Sequence, residues 1–457
     1  METHLSGNDL FNHDLFTALA KTAEKSNYIN PQMYEKYNAK RGLRNIDGTG
    51  VLIGLTEIGD VRAYIIDEGE IVPQEGKLYY RGVEITDMVK GFQEEQRHGF
   101  DDVCFLLLFG KLPNTVELKY FRELLGDSRT LPERFTEDMI LKAPSKDIMN
   151  KLARSVLAAY SYDEAAEETN VANVLRQSIE LIARFPTMAA YGYQARAHYF
   201  GNESLYIHKP QKGLSSSENF LHMIRADNQY SKLEAEVLDL ALVLHAEHGG
   251  GNNSAFTTHV VSSTDTDTYS VIAAAIGSLK GSKHGGANIK VINMIEDIKK
   301  NAQHWDNEKE VEDYLVKIIR KKAFDKTGLI YGIGHAIYTL SDPRALLLKE
   351  KARELSREKG MDKEFMLYSI IEKTAPRVIA EELKINRPIP VNVDFFSGFV
   401  YQMLNIPIEL FTPIFAISRI SGWSAHRIEE IVSGGKIIRP AYKNVIPKSS
   451  YIPLNQR

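Results

Sequence analysis

Four histidines, two aspartates and several arginines sit in four short segments of this chain, most of them glycine-rich, and their types suit proton transfer next to an anionic ligand. The first segment is His245-Ala-Glu-His-Gly-Gly-Gly-Asn-Asn-Ser254, where a helix ending in histidines runs into three glycines. Glycine permits positive φ and close approach of backbone to a ligand, and a histidine in a last helical turn is readily held protonated by the helix dipole. His248 is therefore expected to meet an anion. A helix C-cap with surface histidines, or a His-x-x-His metal pair of His245 and His248, would account for the same residues.

The second segment, Ala275-Ile-Gly-Ser-Leu-Lys-Gly-Ser-Lys-His-Gly-Gly-Ala-Asn288, places His284 just before a helix expected to begin near Ala287. The positive end of a helix dipole disfavours imidazolium, so a neutral His284 donating a hydrogen bond to a developing oxyanion is the expected chemistry. A glycine-rich turn with an incidental histidine is the structural alternative. The third segment is Gly332-Ile-Gly-His-Ala-Ile-Tyr-Thr-Leu-Ser-Asp-Pro-Arg344. No strand precedes its Gly-x-Gly and no third glycine follows, which excludes a dinucleotide-binding turn. Asp342 and Pro343 read as the N-cap and first residue of a helix, and Arg344 in that first turn opposes the dipole unless an anion compensates it.

The fourth runs from Pro390-Val-Asn-Val-Asp-Phe-Phe-Ser-Gly398 through Ser418-Arg419 to Ile437-Ile-Arg-Pro440. Asp394 among apolar neighbours is desolvated and becomes a better base, although a turn or N-cap aspartate reads the same way. Arg419 interrupts an apolar stretch, and a buried guanidinium needs a carboxylate or phosphate partner.

Helices must position most of these groups. Leu233, Val237, Leu240 and Leu244 recur at helical spacing, as do Ala287, Val291, Ile295 and Ile298, and Val311, Leu315, Ile318 and Ile319. The exception is residues 50–86, where Val51–Gly54, Val61–Ile66 and Lys77–Arg81 read as short strands of a small sheet. The charged run Lys349–Lys359, mixed in sign, reads as a solvated helix face.

The chain has 457 residues, 43% hydrophobic and 25% charged, with a formal net charge of -4, the profile of a globular protein large enough for two lobes. Near-balanced charge argues against a nucleic-acid binder. No apolar run is long enough to span a membrane, and neither a signal nor a transit peptide is legible at the N-terminus, so a cytoplasmic setting is expected. A lone Cys104 in an apolar stretch reads as a buried thiol.

In this order and spacing, His-Gly-Gly-Gly-Asn, Lys-His-Gly-Gly-Ala-Asn, Gly-x-Gly-His-Ala with Asp-Pro-Arg, and Val-Asp-x-x-Ser-Gly resemble the citrate synthase family. The resemblance extends upstream through Gly76–Gly82, Pro186–Ala190 and Glu218–Leu221 and downstream to Arg439-Pro440, leaving only the first forty or so residues without a counterpart. It implies a mainly α-helical fold, with a large domain of residues 1–284 and 402–457, a small β region at 50–86, and a smaller domain of 285–401 closing over the site. It also implies condensation of acetyl-CoA with oxaloacetate, with no cofactor and no metal, acetyl-CoA being a substrate. By resemblance His284, His335 and Asp394 are catalytic, His248, Arg344, Arg419 and Arg439 hold oxaloacetate, and Arg439 comes from the neighbouring subunit of a homodimer.

Two positions depart from the family pattern: Ile333, where many relatives carry an aromatic, and Thr339, around which basic residues are frequent. Both flank the part of the family site that receives coenzyme A, so no CoA phosphate ligand is assigned. The same motifs serve 2-methylcitrate synthase, which takes propionyl-CoA, and would also fit an enzyme cleaving citryl-CoA. A non-catalytic helical protein holding a metal through His245, His248 and nearby His259 is the reading from a different class, and it leaves Asp394 and the arginines unexplained.

Overall fold

A computed structural model describes residues 14–45, 48–67 and 70–457. Residues up to Leu55 and residues Thr56–Arg457 form two separate compact units. The first contains the Asp14–Ser26 and Gln32–Lys36 helices, neither with a buried residue, and an antiparallel bridge between Arg44 and Gly50. Val51–Gly54 is not a strand, contrary to the expectation from its composition. β-propensity is expressed only where a partner edge and a buried face exist, and here Leu52 and Leu55 are 84% and 90% exposed.

The second unit opens with the expected small sheet: β1 (Gly59–Asp67), β2 (Glu70–Tyr80) and β3 (Val83–Glu84), antiparallel in that order. Gly59 pairs with Tyr80 and Arg62 with Lys77, after which the register shifts to Tyr64 opposite Pro73. The irregularity has a use, because the sheet there meets the third chemical segment: Gly76 N donates to Ser341 Oγ at 3.2 Å, and Thr339 Oγ1 donates to the Ala63 carbonyl at 3.0 Å.

Helices make the rest. The Phe411–Val432 helix lies at the centre, against the Phe100–Phe109, Val171–Gly201, Lys232–His245, Asn253–Ser262 and Thr268–Lys280 helices. A helix enclosed on most sides has little face left for water, and this one buries residues 411–427 apart from Phe415, the polar Ser418, Arg419 and Ser421 included. The Lys232–His245 helix starts at a capping box in which Ser231 and Glu234 exchange bonds. It buries Val237, Leu240 and Leu244 of the expected stripe.

The Ala287–Asn301, Glu308–Ile319, Pro343–Lys359, Asp362–Leu383 and Val393–Met403 helices pack on one another, through Val291, Ile295 and Ile298 of one stripe and Val311, Leu315, Ile318 and Ile319 of another. Most of the 349–359 charges face water, as in the Lys351–Glu354 pair at 2.8 Å, while Lys359 reaches the buried Glu234 of the Lys232–His245 helix at 2.7 Å. Cys104 is buried.

Candidate active site

The third and fourth segments are laced together by backbone. Gly334 N donates to the Pro390 carbonyl at 2.7 Å, Asn392 N donates to the Gly332 carbonyl at 2.9 Å, and Ile333 bridges Val391. Asn392 Nδ2 adds a bond to the Gly334 carbonyl at 2.8 Å. The Gly-x-Gly is thus paired along its backbone with residues 390–392. It is a clasp that sets the His335 loop beside the start of the helix carrying Asp394, and Gly332 sits at φ 80°, where a side chain would be strained.

Asp342 ties the clasp to Arg344. Its Oδ1 caps the Pro343–Lys359 helix by accepting from Arg344 N at 3.0 Å, and its Oδ2 accepts from Val393 N at 3.1 Å. The same carboxylate receives Arg344 Nε at 3.0 Å and Nη2 at 2.8 Å, with both side chains buried. The anion that a cation in a first helical turn requires is thus the N-cap itself.

His335 has a fixed tautomer. Its Nδ1 accepts the backbone N–H groups of Ile337 and Tyr338, each at 3.0 Å, so the ring proton resides on Nε2. Burial, reinforced by Arg344, lowers its pKa to about 4. The ring is 4.6 Å from that of Tyr338 and 5.2 Å from that of His248.

His248 differs from expectation. The helix ends at His245, so His248 lies three residues beyond it, in the glycine turn and outside the reach of the dipole. Burial first, then the charges of Arg344, His335, Arg419 and His284, push its pKa well below the usual value, so it is neutral and not the expected imidazolium. Its Nε2 is buried without a hydrogen-bond partner. Nor do His245 and His248 form a metal pair: His245 packs edge-on against Phe415 at 4.5 Å, while His248 turns toward His335 and Tyr338.

His284 precedes the Ala287–Asn301 helix, capped by Gly286, as the spacing suggested. It is neutral for a different reason: burial, with Arg419 adding, lowers its pKa to about 4. Its Nε2 is 3.0 Å from Ser254 Oγ, on the helix that follows the glycine turn, so the first and second segments meet through this contact. Arg419 is almost fully buried, donates from Nε to the His245 carbonyl at 2.7 Å and stacks on Phe415 at 4.7 Å. Its two terminal nitrogens have no protein hydrogen-bond partner among the described residues.

Asp394 occupies the first turn of the Val393–Met403 helix, and the cap of that helix is Asn392, which accepts from Asp394 N at 3.0 Å. The capping alternative is thereby taken by its neighbour, and the Asp394 carboxyl remains available. Burial raises its pKa to about 6, against the opposing pull of Arg344 and Arg419. His284, His335, Asp394, His248, Arg344 and Arg419 are therefore linked by contact or by the charge each exerts on another. Arg439 is not among them. It lies exposed in the extended stretch after the last long helix.

Sequence reading missed Tyr338 and Ser254, and took Asp342 only as a cap. Nothing in spacing marks the first two. The Asp-Pro-Arg triplet does contain the third, since an N-cap carboxylate two residues before an arginine lies within reach of its guanidinium. Three neutral imidazoles, a carboxyl raised to about 6 and two buried guanidiniums suit removal of a proton next to a carbonyl, with an anionic partner held alongside.

A family model described as citrate synthase, C-terminal domain, matches residues 47–441. A citrate synthase of a Synechocystis species is 33% identical over 384 residues, covering 84% of this chain and 89% of that protein. A 2-methylcitrate synthase of Shewanella oneidensis is 32% identical over 390 residues, covering 83% and 92%. The citrate synthase of Thermoplasma acidophilum, solved in a ternary complex with carboxymethyl coenzyme A and oxaloacetate, superposes with a TM-score of 0.75 at 25% identity, over 92% of this chain and 99% of that one.

Proposed function

The chain belongs to the citrate synthase family, and from that premise we propose how its own residues divide the work of condensing acetyl-CoA with oxaloacetate. The reaction is an acyl transfer in which the thioester methyl carbon becomes a nucleophile, adds to the ketone, and the resulting citryl-CoA is hydrolysed to citrate and CoA. It needs no cofactor.

Asp394 takes the methyl proton. A carboxylate is a weak base for such a carbon, so the electrons released toward the thioester oxygen must be met at once by an aligned donor. His284 supplies it. Ser254 Oγ donates to Asn252 Oδ1 at 3.0 Å and lies 3.0 Å from His284 Nε2, a contact that fixes the plane of the imidazole. His335 Nε2–H hydrogen-bonds the ketone oxygen of oxaloacetate, polarises it, and stabilises the alkoxide that forms as the enolate carbon attacks.

Oxaloacetate carries two carboxylates. Arg344 and Arg419 hold them with the donors that the protein leaves free, and His248 adds its unpartnered ring nitrogen. Arg439 completes the set from a second subunit. What supports a homodimer is the stretch around it, which exposes Ile437, Tyr442, Ile446 and Tyr451 at 62%, 95%, 76% and 82%, the composition of an arm that lies on a partner. Residues 285–401, whose helices pack mainly on one another, move as a lobe that closes over bound substrate. With its only cysteine a buried free thiol, we place the enzyme in the cytoplasm.

The observation that carries the reading is the fixed His335 tautomer within contact of His248, in a chain that matches the family over 47–441. The Shewanella relative supports a second reading, propionyl-CoA as acyl donor. One methylene shifts discrimination by about 1–3 kcal/mol, so a small change of pocket would suffice. Thiol release from each thioester with oxaloacetate tests both: a higher kcat/KM for acetyl-CoA is expected, a higher value for propionyl-CoA transfers the assignment, and no thiol release from either contradicts both.

A further inference from the structure

Outside the catalytic cleft, five ionisable side chains cluster where the Asn253–Ser262 helix meets the end of the Phe411–Val432 helix. His259 Nδ1 is 2.8 Å from Glu430 Oε2, and His426 Nε2 is 3.1 Å from Glu247 Oε1. The His259 pairing is a hydrogen bond, and since a carboxylate can only accept, it draws the ring proton to Nδ1 and leaves a lone pair on Nε2; Glu247 stands against His426 Nε2 as a charge contact without hydrogen-bond geometry, and its charge favours the proton on that nitrogen. The two remaining nitrogens, His259 Nε2 and His426 Nδ1, face each other at 3.1 Å. Glu429 Oε2 is the third atom of the group, 3.6 Å from His426 Nδ1 and buried without a hydrogen-bond partner. All three atoms lie within 4.8 Å of one another. Two lone pairs and a carboxylate oxygen aimed together repel unless something positive lies between them.

We propose that His259, His426 and Glu429 form a structural binding site for a divalent transition-metal ion, of the zinc type. With bonds of about 2.0–2.1 Å, a tetrahedral ion has ligand atoms roughly 3.3 Å apart, between the 3.1 and 3.6 Å separations found here. Two imidazoles and a carboxylate, with a water in the fourth position, is a donor set that zinc accepts. Glu430 and Glu247 stand behind the imidazoles as the carboxylates that fix ligand tautomers and raise ligand basicity. His259 and Glu429 keep 14% side-chain exposure each, which gives an ion a way in.

The site lies under the turn that presents His248. A Cβ on Gly250 would come within 3.5 Å of both His259 Nε2 and His426 Cε1, and Glu247 immediately precedes His248. A bound ion therefore braces that turn. The competing occupant is a proton: burial disfavours charge on His426, but Glu247 and Glu429 raise its pKa to about 9, and a shared proton satisfies the same nitrogens.

The test uses the untagged full chain, stripped with a chelator, titrated with Zn2+, dialysed and assayed by elemental mass spectrometry. One ion per chain is expected, with a rise in Tm on loading. Glu430→Gln should weaken binding about 10–100-fold, as loss of a carboxylate behind a ligand does. His259→Ala and Glu429→Gln should each weaken it further and abolish the rise in Tm. Glu429→Gln keeps an oxygen for Glu57 N, which Glu429 Oε1 accepts at 2.8 Å, so it decides the matter if His259→Ala does not fold. Retention well below one ion per chain, or wild-type affinity in the Glu429→Gln protein, overturns the proposal in favour of a proton-bridged row.

Discussion

Asp342 grips Arg344 through two parallel hydrogen bonds of 3.0 and 2.8 Å, with both side chains buried, while the carboxylate also accepts the backbone N–H groups of Arg344 and Val393. The pair joins the helix that begins at Pro343 to the helix that carries Asp394. It also orients Arg344, whose Nη1 has no protein hydrogen-bond partner among the described residues.

Removing the arginine alone does two separable things. Arg344→Ala strands a buried carboxylate, which costs about 3–5 kcal/mol, and deprives oxaloacetate of a cation. The expected outcome is a lower denaturation midpoint together with a raised oxaloacetate KM. Asp342→Asn combined with Arg344→Ala should recover much of the stability, because the stranded charge is gone, but none of the affinity. An unchanged oxaloacetate KM in the double variant would count against Arg344 as a substrate ligand.

The pH dependence follows from Asp394, whose pKa is raised to about 6 by burial. As base it must be ionised, so kcat/KM should fall tenfold per pH unit below about 6 and level off above it. His284 and His335, both lowered to about 4, should add no further break between pH 5 and 8. A profile flat from pH 5 to 8 would refute this.

The same shift affects stability with a definite sign. A carboxyl whose folded pKa lies above its unfolded value favours the fold in its protonated form, so its contribution is full below about pH 4 and is lost as pH rises through 6. Asp394→Asn keeps the neutral shape at every pH. It should be more stable than the natural chain by about 3 kcal/mol at pH 7.5 and by only about 1 kcal/mol at pH 4.5. Urea unfolding at the two pH values measures the difference, and equal stability at pH 7.5 would show that the carboxyl is not held above its usual range.

The clasp predicts a glycine effect. Gly332 has φ 80°, and a Cβ there would lie 2.9 Å from Phe395 Cβ and Val291 Cγ2. Gly332→Ala should therefore cost about 1–3 kcal/mol and lower kcat by shifting His335 relative to Asp394. Wild-type kcat in a folded Gly332→Ala protein would show that the clasp does not position them.

Much of this was legible in the chain because the signals were local. The stripe Val311, Leu315, Ile318 and Ile319 forms a helix for the periodic reason that it reads as one, and Asp342 and Pro343 start a helix because cap and proline chemistry are intrinsic to those residues. Charge states were read less well. The dipole argument made His248 an imidazolium, whereas burial and the charge of Arg344, which lie outside any sequence window, keep it neutral, and burial with Arg419 lowers His284 as well. Val51–Gly54 has strand composition but no partner edge. The contact of His259 with His426, 167 residues apart, has no trace in spacing at all.

The most direct measurement is steady-state thiol release by Asp394→Asn with acetyl-CoA and oxaloacetate, alongside calorimetric binding of oxaloacetate to the same protein. A kcat at least about a hundredfold below that of the natural chain is expected, with oxaloacetate affinity changed by less than about threefold, since the amide keeps the shape of the site and removes only the base. A kcat near that of the natural chain would mean that another group takes the proton, and the assignment of Asp394, His284 and His335 to one concerted step would be wrong.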